Sequence, residues 1–470
     1  MKRKSVMLVI ALLLAVSALL SACGGNSGGN TANTGTNSGG STGTTTTTEE
    51  KTEGQPAAAE AEPFSMTLRH TQVGESKKFR LALLEDVVKK TEAEVPGLKI
   101  EFDPVEDAAN RFTKLPAEMT AGNPPQIFDL FGGSADAVKY AKAGRLLDLT
   151  PILDELGIKD KFIDLSQFTV DGKIYGLPIG ASQEGFFYNK PLFEKFGLKV
   201  PTTLEELETL METLKQNNVA PIAMASKAAW VPLMLNNTLM ARYAGPDTFT
   251  GFVDGSKKWN APEVVAAWTK YNEWLAKGYF MKGELGFDYP EMRNQLITGK
   301  AGLMFDGSWA SSVFADPAQA GDMVGKVGYF AVPAVANGTG DQTFVNGNHS
   351  NGYGFSANLK ENEVAAVKAF IKNMYNEEMQ LRGLKEDNLL PSMKVEGDMA
   401  SIVQDPTLKE VLSVQAKAAG AFPVFDAFVQ SDVYKEVELG ISQLIAGKGK
   451  ADPQKILDKI QSVQDAANQK

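Results

Sequence analysis

The run QIFDLF, residues 126–131, has the length and the apolar content of a buried β-strand. Two strand-like segments precede it, residues 66–69 and the alternating run at 98–102. Between those two segments, residues 79–94 place apolar side chains at helical spacing. Strands that alternate with helices in this way are typical of an α/β sheet, which is the fold class that the sequence predicts.

Helix starts in the second half of the chain are marked by capping residues. The run TTLEE, residues 202–206, predicts a capping box, in which a threonine and a glutamate satisfy backbone N–H groups at a helix start. Asn358 and Glu361 predict a second box of the same kind. Trp268 and Trp274 fall in an amphipathic helical segment, so we expect both indoles to pack in the core.

The first residues are typical of a secretory signal. Basic residues 2–4 precede a nearly unbroken apolar run at 6–20, which ends in small residues before Cys23, the only cysteine. The apolar run is shorter than the roughly 20 residues of a spanning helix, so we expect a signal peptide over 1–22. Segment 23–62 is rich in Gly, Ser, Asn and Thr, which predicts a disordered tether or an O-modified stalk.

Length and charge limit the partners of the mature chain. The signal carries three of the 47 basic residues, which leaves 44 basic against 57 acidic residues and a net charge of −13. An acidic surface of this kind argues against nucleic acid and anionic lipid headgroups as partners. The chain without its signal is long enough for two ordinary domains, and one cysteine makes no internal disulfide.

The sequence lacks the local motifs of common catalytic and metal-binding sites. His70 and His349 are the only histidines, so the sequence predicts no multi-histidine metal site, no conventional triad and no cofactor. The run GGSAD at 132–136 lacks the closing glycine of a nucleophile elbow, and TGKA at 298–301 lacks the pattern of a phosphate loop. We therefore expect no enzyme, although a carboxylate pair for glycoside hydrolysis stays open because any two of 57 acids could meet.

Segments in a fixed order along the chain carry a family resemblance. They are LPAEMTAGNPPQIFDL (115–130), AGRLLDLT (143–150), DGKIYGLPIGASQEGFFYNKPLFEKFG (171–197), VPTTLEE (200–206), GKAGLMFDGSW (299–309) and GYGFSANLK (352–360). Behind a signal that ends in a cysteine, this series resembles the extracellular solute-binding proteins of ABC importers, the family of the maltose-binding protein. The small residues before Cys23 likewise resemble the lipobox of bacterial lipoproteins; an incidental cysteine after an ordinary signal is the alternative.

The resemblance implies a two-lobed periplasmic-binding-protein-like fold of type II. Each lobe would be a mixed sheet flanked by helices, and crossing hinge strands would join the lobes. Lobe 1 is expected to comprise 64–176 plus 334–388, and lobe 2 to comprise 177–333 plus 389–470. The resemblance also implies a monomer at the outer face of the bacterial cell membrane, anchored by fatty acyl chains such as palmitate on Cys23, with a membrane permease as partner.

In open α/β sheets, ligands sit beyond the carboxyl ends of strands. Asp129 interrupts an apolar strand, and Gly133 and Ser134 follow it. A carboxylate can accept two hydrogen bonds from sugar hydroxyls, and glycine lets a ligand approach the backbone, although a tight turn would also explain it. Gln72 and Arg111 are further candidates in lobe 1, the latter with a solvated helix charge as its alternative.

Lobe 2 supplies the aromatic candidates. Trp309 matches the cleft tryptophan of the family in the segment ending Gly-Ser-Trp, and an indole offers a flat apolar surface to a sugar ring. Asp306 precedes it, and Trp230 lies on no evident helical stripe. Gln183 and Glu184 come directly after the crossing segment, which makes them ligand candidates too.

Three candidates remain, and the function follows from the whole set. Asn351 lies in a polar loop, and Phe425 and Asp426 precede the last pair of helices, a region from which the family lines its cleft. The sequence thus predicts a receptor that captures a carbohydrate, expected to be an oligosaccharide, and delivers it to an ABC permease. The alternatives are a receptor for a cationic solute such as a polyamine, a surface-anchored hydrolase, and an adhesin or signalling subunit that uses the same lobes.

Overall fold

The computed structural model describes residues 62–469, which form two large β-sheets flanked by helices. The strands are β1 (Phe64–His70), β2 (Leu98–Pro104), β3 (Ile127–Phe131), β4 (Thr169–Val170), β5 (Lys173–Ile174), β6 (Gly176–Pro178), β7 (Ser182–Asn189), β8 (Ala220–Ala223), β9 (Ala301–Gly307), β10 (Val327–Phe330), β11 (Val345–Asn348), β12 (Asn351–Phe355) and β13 (Ala421–Phe422).

The α-helices lie between and after these strands. They are α1 (Lys78–Glu94), α2 (Asp107–Ala109), α3 (Leu115–Ala121), α4 (Ala137–Lys142), α5 (Thr150–Leu156), α6 (Lys190–Phe196), α7 (Leu204–Gln216), α8 (Trp230–Ala244), α9 (Thr248–Asp254), α10 (Pro262–Lys277), α11 (Tyr289–Ile297), α12 (Ser311–Ala315), α13 (Pro317–Ala320), α14 (Glu361–Met374), α15 (Glu377–Glu386), α16 (Met399–Ile402), α17 (Pro406–Lys417), α18 (Ser431–Gly447) and α19 (Pro453–Ala467).

The first sheet has the strand order β2-β1-β3-β12-β6. β1 pairs with β2 and β3 in parallel, and β12 lies antiparallel to β3 and β6. The three predicted strands at 66–69, 98–102 and 126–131 are β1, β2 and β3, and the predicted helix at 79–94 is α1. The alternation of strand and helix at the start of the chain therefore predicted the three parallel strands of this sheet correctly.

The second sheet has the order β13-β11-β7-β9-β8, and β10 also pairs with β7. β9 and β11 lie antiparallel to β7 on its two sides, and β8 runs parallel to β9. β10 pairs with the later part of β7, beyond the residues that β11 contacts. Both sheets are mixed, as the sequence predicted.

Each sheet has its own apolar core, and we call each sheet with its core and flanking helices a lobe. The first core includes Leu68, Phe355 and Phe370, and a smaller cluster covers the other face of the first sheet. The second core is larger and includes Phe186 and Phe305. Trp268 and Trp274 are completely buried in it, which confirms the prediction that both indoles pack internally.

Short connections join the two sheets. β6 ends at Pro178 in the first sheet and β7 starts at Ser182 in the second, while β11 and β12 join the sheets in the opposite direction. The connections touch, since the Ile179 N–H donates to the Asn351 carbonyl at 2.9 Å. Segment 334–388, expected in lobe 1, thus contributes β11 to the second sheet and β12 to the first, and the exact lobe limits stay a prediction.

One of the two predicted helix caps is correct. Thr203 Oγ1 accepts from the Glu206 N–H at 3.2 Å, and Glu206 Oε2 accepts from the Thr202 N–H at 2.7 Å. The box at Asn358 and Glu361 is wrong, because α14 begins at Glu361 and its N-cap is Lys360. Glu363 accepts from the Lys360 N–H at 2.7 Å. Leu359 packs against the first core ahead of the helix, which places Asn358 too early to cap it.

No helix within residues 62–469 is both long enough and apolar enough to cross a membrane. The expected signal peptide at 1–22, the candidate lipidation site Cys23 and nearly all of the tether at 23–62 lie outside the described residues.

Replacing Phe186 by alanine should destabilise the second lobe. The ring is fully buried, and its centroid lies 5.1 Å from that of the Phe305 ring. Removing it leaves a cavity in the core, which should lower the free energy of unfolding by about 3–5 kcal/mol. All five tryptophans lie in the second lobe, so urea unfolding followed by their fluorescence reports on it. Leu439→Ala is the control, since Leu439 is 61% exposed and should change the value by less than about 0.5 kcal/mol. Equal effects of the two substitutions would contradict this placement of the core.

Candidate functional site

The strand register aligns particular strand ends within each sheet. Asn351 pairs with Phe131, so the start of β12 lies beside the carboxyl end of β3. In the second sheet Glu184 pairs with Gly307, so the start of β7 lies beside the carboxyl end of β9. Because only residues 179–181 separate β6 from β7, these two edges are held opposite each other. The space between them is the candidate site, where α/β sheets bind ligands.

The first-sheet edge carries buried polar side chains. Asp129 lies in β3 and its carboxylate accepts a hydrogen bond from Thr71 Oγ1 at 2.8 Å. Asn110 Nδ2 donates to the backbone carbonyl of Asp129 at 3.1 Å. Gln72 is 3% exposed, and the side-chain oxygens of Gln72 and Asn110 have no hydrogen-bond partner among the described residues. Both oxygens are buried acceptors that a hydroxyl or amide N–H of a ligand would satisfy.

Burial makes Asp129 an unusual carboxyl. Desolvation, with a further contribution from the charge of Asp107, raises the pKa of Asp129 to about 7, although the Thr71 hydroxyl bond opposes the shift. The raised pKa favours the protonated form, which can donate as well as accept a hydrogen bond.

The second-sheet edge carries an aromatic wall, which we define as Trp230, Tyr289 and Trp309. Trp309 follows β9 and Trp230 follows β8, so both indoles come after the carboxyl ends of parallel neighbouring strands. The rings of Trp230 and Tyr289 meet edge to face at 4.8 Å, and the indole N–H of Trp309 donates to Tyr289 Oη at 2.5 Å. All three side chains are partly exposed, so the wall offers apolar ring surface to a ligand.

Asp306, a predicted ligand residue, is completely buried behind this wall. Its Oδ1 accepts from Tyr289 Oη at 2.5 Å and from the Gly307 N–H at 2.8 Å. Its Oδ2 accepts from Arg293 Nε at 3.2 Å. With both oxygens occupied by the protein, Asp306 supports the aromatic residues rather than presenting its charge at the surface.

Gln183 and Glu184 lie at the start of β7 and are both buried. Glu184 accepts a hydrogen bond from Asn346 Nδ2, and burial, with the charges of Asp426 and Asp306, raises the pKa of Glu184 well above its usual range. Gln183 Nε2 donates to Tyr329 Oη at 3.3 Å, and its side-chain oxygen has no hydrogen-bond partner among the described residues. The second-sheet edge therefore contributes an unpaired amide oxygen and a carboxyl whose raised pKa favours its protonated form.

Arg111 joins the lobes rather than reaching solvent. Its Nε donates to Asp136 Oδ2 at 2.9 Å in the first lobe, and its terminal nitrogens lie 3.3 Å from Asp426 Oδ2 in the second. The guanidinium also lies 3.5 Å from the ring centroid of Phe131. The alternative of a solvated helix charge is thus wrong, because this guanidinium is largely buried between two carboxylates.

Gly133 and Ser134 belong to the same contact, which we call the interlobe seam together with Arg111 and Asp426. The Ser134 N–H donates to the Ala427 carbonyl at 2.8 Å. Gly133 has φ +94°, and a Cβ there would lie 2.2 Å from the Ala427 oxygen, so only glycine allows this approach. Phe425 is 2% exposed and packs in the second core.

The predicted site residues therefore divide into groups. The facing edges hold Gln72, Asp129, Gln183, Glu184, Trp230, Trp309 and Asn351, and the seam holds Arg111, Gly133, Ser134 and Asp426. Phe425 packs in the second core, and Asp306 lies behind the aromatic wall. Sequence reasoning missed Thr71, Asn110, Tyr289 and Arg293. Thr71 and Asn110 each adjoin a predicted residue, whereas nothing in the local sequence relates Tyr289 to Trp309.

Within residues 62–469, histidine, cysteine and acidic side chains form no group of three or more that could hold a metal ion.

Comparison with known proteins identifies the family. Residues 79–381 match the model described as bacterial extracellular solute-binding protein. The chain belongs to this family. The resemblance that the sequence motifs indicated is thereby confirmed, and the predicted two-lobed α/β architecture is that of this solute-binding protein's structural neighbours.

Two curated relatives of this solute-binding protein are about a quarter identical to it. It is 25% identical over 269 residues to the multiple sugar-binding protein of Streptococcus mutans, an alignment that covers 56% of this chain and 62% of that one. It is 26% identical over 253 residues to an uncharacterized ABC transporter extracellular-binding protein of Pyrococcus horikoshii. That alignment covers 52% of this chain and 55% of the relative. The chain thus spans between half and two thirds of the length of these curated relatives.

Solved structures align over more of the chain. A chitin oligosaccharide binding protein is 46% identical with a TM-score of 0.80, and the alignment covers 86% of this chain and 99% of that one. Maltose-bound MalE3 of T. maritima is 20% identical with a TM-score of 0.68, and the alignment covers 86% of this chain and 99% of that one. At this identity the likeness shows that the two proteins share a fold.

Replacing Asp129 by asparagine should flatten the pH dependence of stability. The pKa of Asp129 is about 7 in the folded protein, well above the ordinary 3.8. Between those values the unfolded chain releases this proton while the folded protein keeps it, so the free energy of unfolding falls as pH rises. Asparagine keeps an acceptor for Thr71 and does not ionise. The unfolding free energy of Asp129→Asn relative to the natural protein should therefore rise by about 1.4 kcal/mol per pH unit in this window.

Urea unfolding followed by far-ultraviolet circular dichroism between pH 4.5 and 8.5 measures this difference. Asp160→Asn is the control, because Asp160 is exposed in the first lobe and should give a difference that does not change with pH. A constant difference for Asp129→Asn as well would show that Asp129 is ordinarily ionised in the folded protein.

Proposed function

We propose that this solute-binding protein is an extracellular receptor that holds an oligosaccharide between its two lobes and delivers it to an ABC transporter. The observation that carries the proposal is the placement of an aromatic wall opposite an edge of buried hydrogen-bonding groups. A sugar ring has an apolar C–H face and a polar rim of hydroxyls, so it matches both surfaces at once. Trp309 and Trp230 would contact the face, and Asp129 and Gln72 the rim.

The names of the relatives support this ligand class. The 46% identical structure is a chitin oligosaccharide binding protein, and a curated relative is a multiple sugar-binding protein. We therefore take chitin oligosaccharides as the leading ligand. No covalent bond of the sugar is broken in this account.

The electrostatics of the site favour a neutral ligand over a polyamine. A cation would need ionised carboxylates, but burial raises the pKa of both Asp129 and Glu184, which favours their protonated forms. Asp306 is ion-paired with Arg293, and Asp426 lies beside Arg111, so neither offers a free charge. These arrangements support a receptor for a neutral solute, with enclosure and hydrogen bonding as the source of affinity.

The signal-like start of the chain supports an anchored receptor. The small residues before Cys23 fit a lipobox, and we propose that Cys23 carries fatty acyl chains that hold the monomeric protein at the outer face of the cell membrane. The receiving partners would be the permease subunits of an importer.

Titration calorimetry against an oligosaccharide panel tests the ligand. Chitin oligosaccharides should bind one to one and be recovered intact, while cello-oligosaccharides of equal length test what the acetamido groups contribute. Polyamines are the matched test of the charged alternative, and their binding should be absent. A binding heat with a polyamine and no binding heat with any sugar would overturn the proposal. Recovery of shortened sugars after incubation with the protein would overturn it too.

Replacing Cys23 by alanine should release the protein from membranes. The expected reason is loss of the thiol that receives the acyl chains, each buried CH₂ of which contributes about 0.8 kcal/mol. Membrane fractionation and labelling with radioactive palmitate in cells that express the full chain measure the change. Ser27→Ala, four residues further on, should stay labelled and membrane-bound. Unchanged labelling of Cys23→Ala would rule out lipidation at this residue.

A further inference from the structure

The hydroxyl of Tyr289 is the centre of a fully satisfied hydrogen-bond network. It accepts from the indole N–H of Trp309 at 2.5 Å and from Arg293 Nη2 at 2.6 Å, and it donates to Asp306 Oδ1 at 2.5 Å. The directions are fixed by chemistry, because indole and guanidinium N–H groups only donate and an ionised carboxylate only accepts. One proton and two lone pairs are thus all used.

The rest of this network is held by the fold. Asp306 is fully buried in β9, and Arg293 is 7% exposed on α11, one turn after Tyr289. The Arg293 guanidinium pairs with Asp306 Oδ2 at 3.2 Å and lies 4.3 Å from the centroid of the Tyr289 ring. A strand and a helix therefore fix the position of the Tyr289 oxygen between them.

Gly307 independently shows how closely the Trp309 indole is seated. A Cβ at Gly307 would lie 2.1 Å from the six-membered ring of Trp309, so the indole occupies the space that any other residue would need. The ring is thus held by the backbone of β9 and by the hydrogen bond from its N–H to Tyr289.

We propose that Tyr289 is a positioning residue that fixes the plane of Trp309, and that Trp309 recognises its ligand through its apolar ring surface alone. The inference deepens the proposed function and rests on it, since it assigns the chemistry by which the aromatic wall contacts a sugar. The indole N–H is committed to Tyr289, so Trp309 donates no hydrogen bond to a ligand hydroxyl. Ring contact at this position selects for the C–H face of the sugar.

A double-mutant cycle with Trp309→Phe tests this role. Phenylalanine keeps an aromatic ring and removes the N–H that Tyr289 accepts. In the natural protein, Tyr289→Phe should weaken chitin-oligosaccharide binding about five- to tenfold by calorimetry, because the indole loses its tether. In the Trp309→Phe background the same change should alter the dissociation constant by less than about twofold.

The control variant removes a tyrosine hydroxyl that makes no hydrogen bond to a tryptophan. Tyr271 Oη is buried in the same lobe without a hydrogen-bond partner among the described residues, so Tyr271→Phe should bind as the natural protein does. A loss for Tyr289→Phe that is equal in both backgrounds would overturn the inference, because Tyr289 would then act independently of the indole. Binding by Tyr289→Phe at natural affinity would overturn it too.

A ligand-free measurement separates this inference from the proposed function. Trp259, Trp268 and Trp274 are fully buried, so iodide quenching reports on the partly exposed Trp230 and Trp309. Tyr289→Phe should increase the quenchable fraction when Trp309 is present and leave it unchanged in Trp309→Phe. This result would support the positioning role even if no sugar bound, whereas sugar binding without any change in quenching would overturn it.

Discussion

The short connections between the two sheets are the constraint on which the rest of the structure depends. Residues 179–181 lead from β6 to β7, and they lie beside the return connection and beside the segment at Leu390, whose carbonyl accepts from the Ala181 N–H at 2.8 Å. With so few residues in each connection, the polar edge of the first sheet and the aromatic edge of the second sheet are kept opposite each other. A ligand of limited thickness can therefore contact both.

The charges near this region are mostly used by the protein itself. Arg111 connects carboxylates of both lobes, Lys78 pairs with Asp316 across the lobes at 2.7 Å, and Arg293 neutralises Asp306. Burial costs an unpaired charge so much that the remaining acids tend toward their neutral forms. What is left for a ligand is ring surface and uncharged hydrogen-bonding groups, which suits a carbohydrate.

Local sequence patterns predicted the fold well and the site unevenly. The early strands and α1 follow from apolar periodicity, and Trp268 and Trp274 are buried because they lie on the apolar side of one helix. By contrast, Arg111 meets Asp426 from 315 positions away, and Tyr289 meets Trp309 only because α11 packs on β9. Asp306 looked like a ligand residue because it follows an apolar strand, yet β9 is buried along its whole length. Such pairings depend on tertiary packing, which no spacing in the sequence encodes.

The most direct test of the central claim is a crystal structure of the protein with a chitin oligosaccharide bound. Enclosure between facing edges predicts that one sugar ring lies flat on Trp309, that its hydroxyl or acetamido groups reach Asp129 or Gln72, and that both lobes contact the ligand. A sugar bound to one lobe alone, or on an outer surface away from the aromatic wall, would contradict the account.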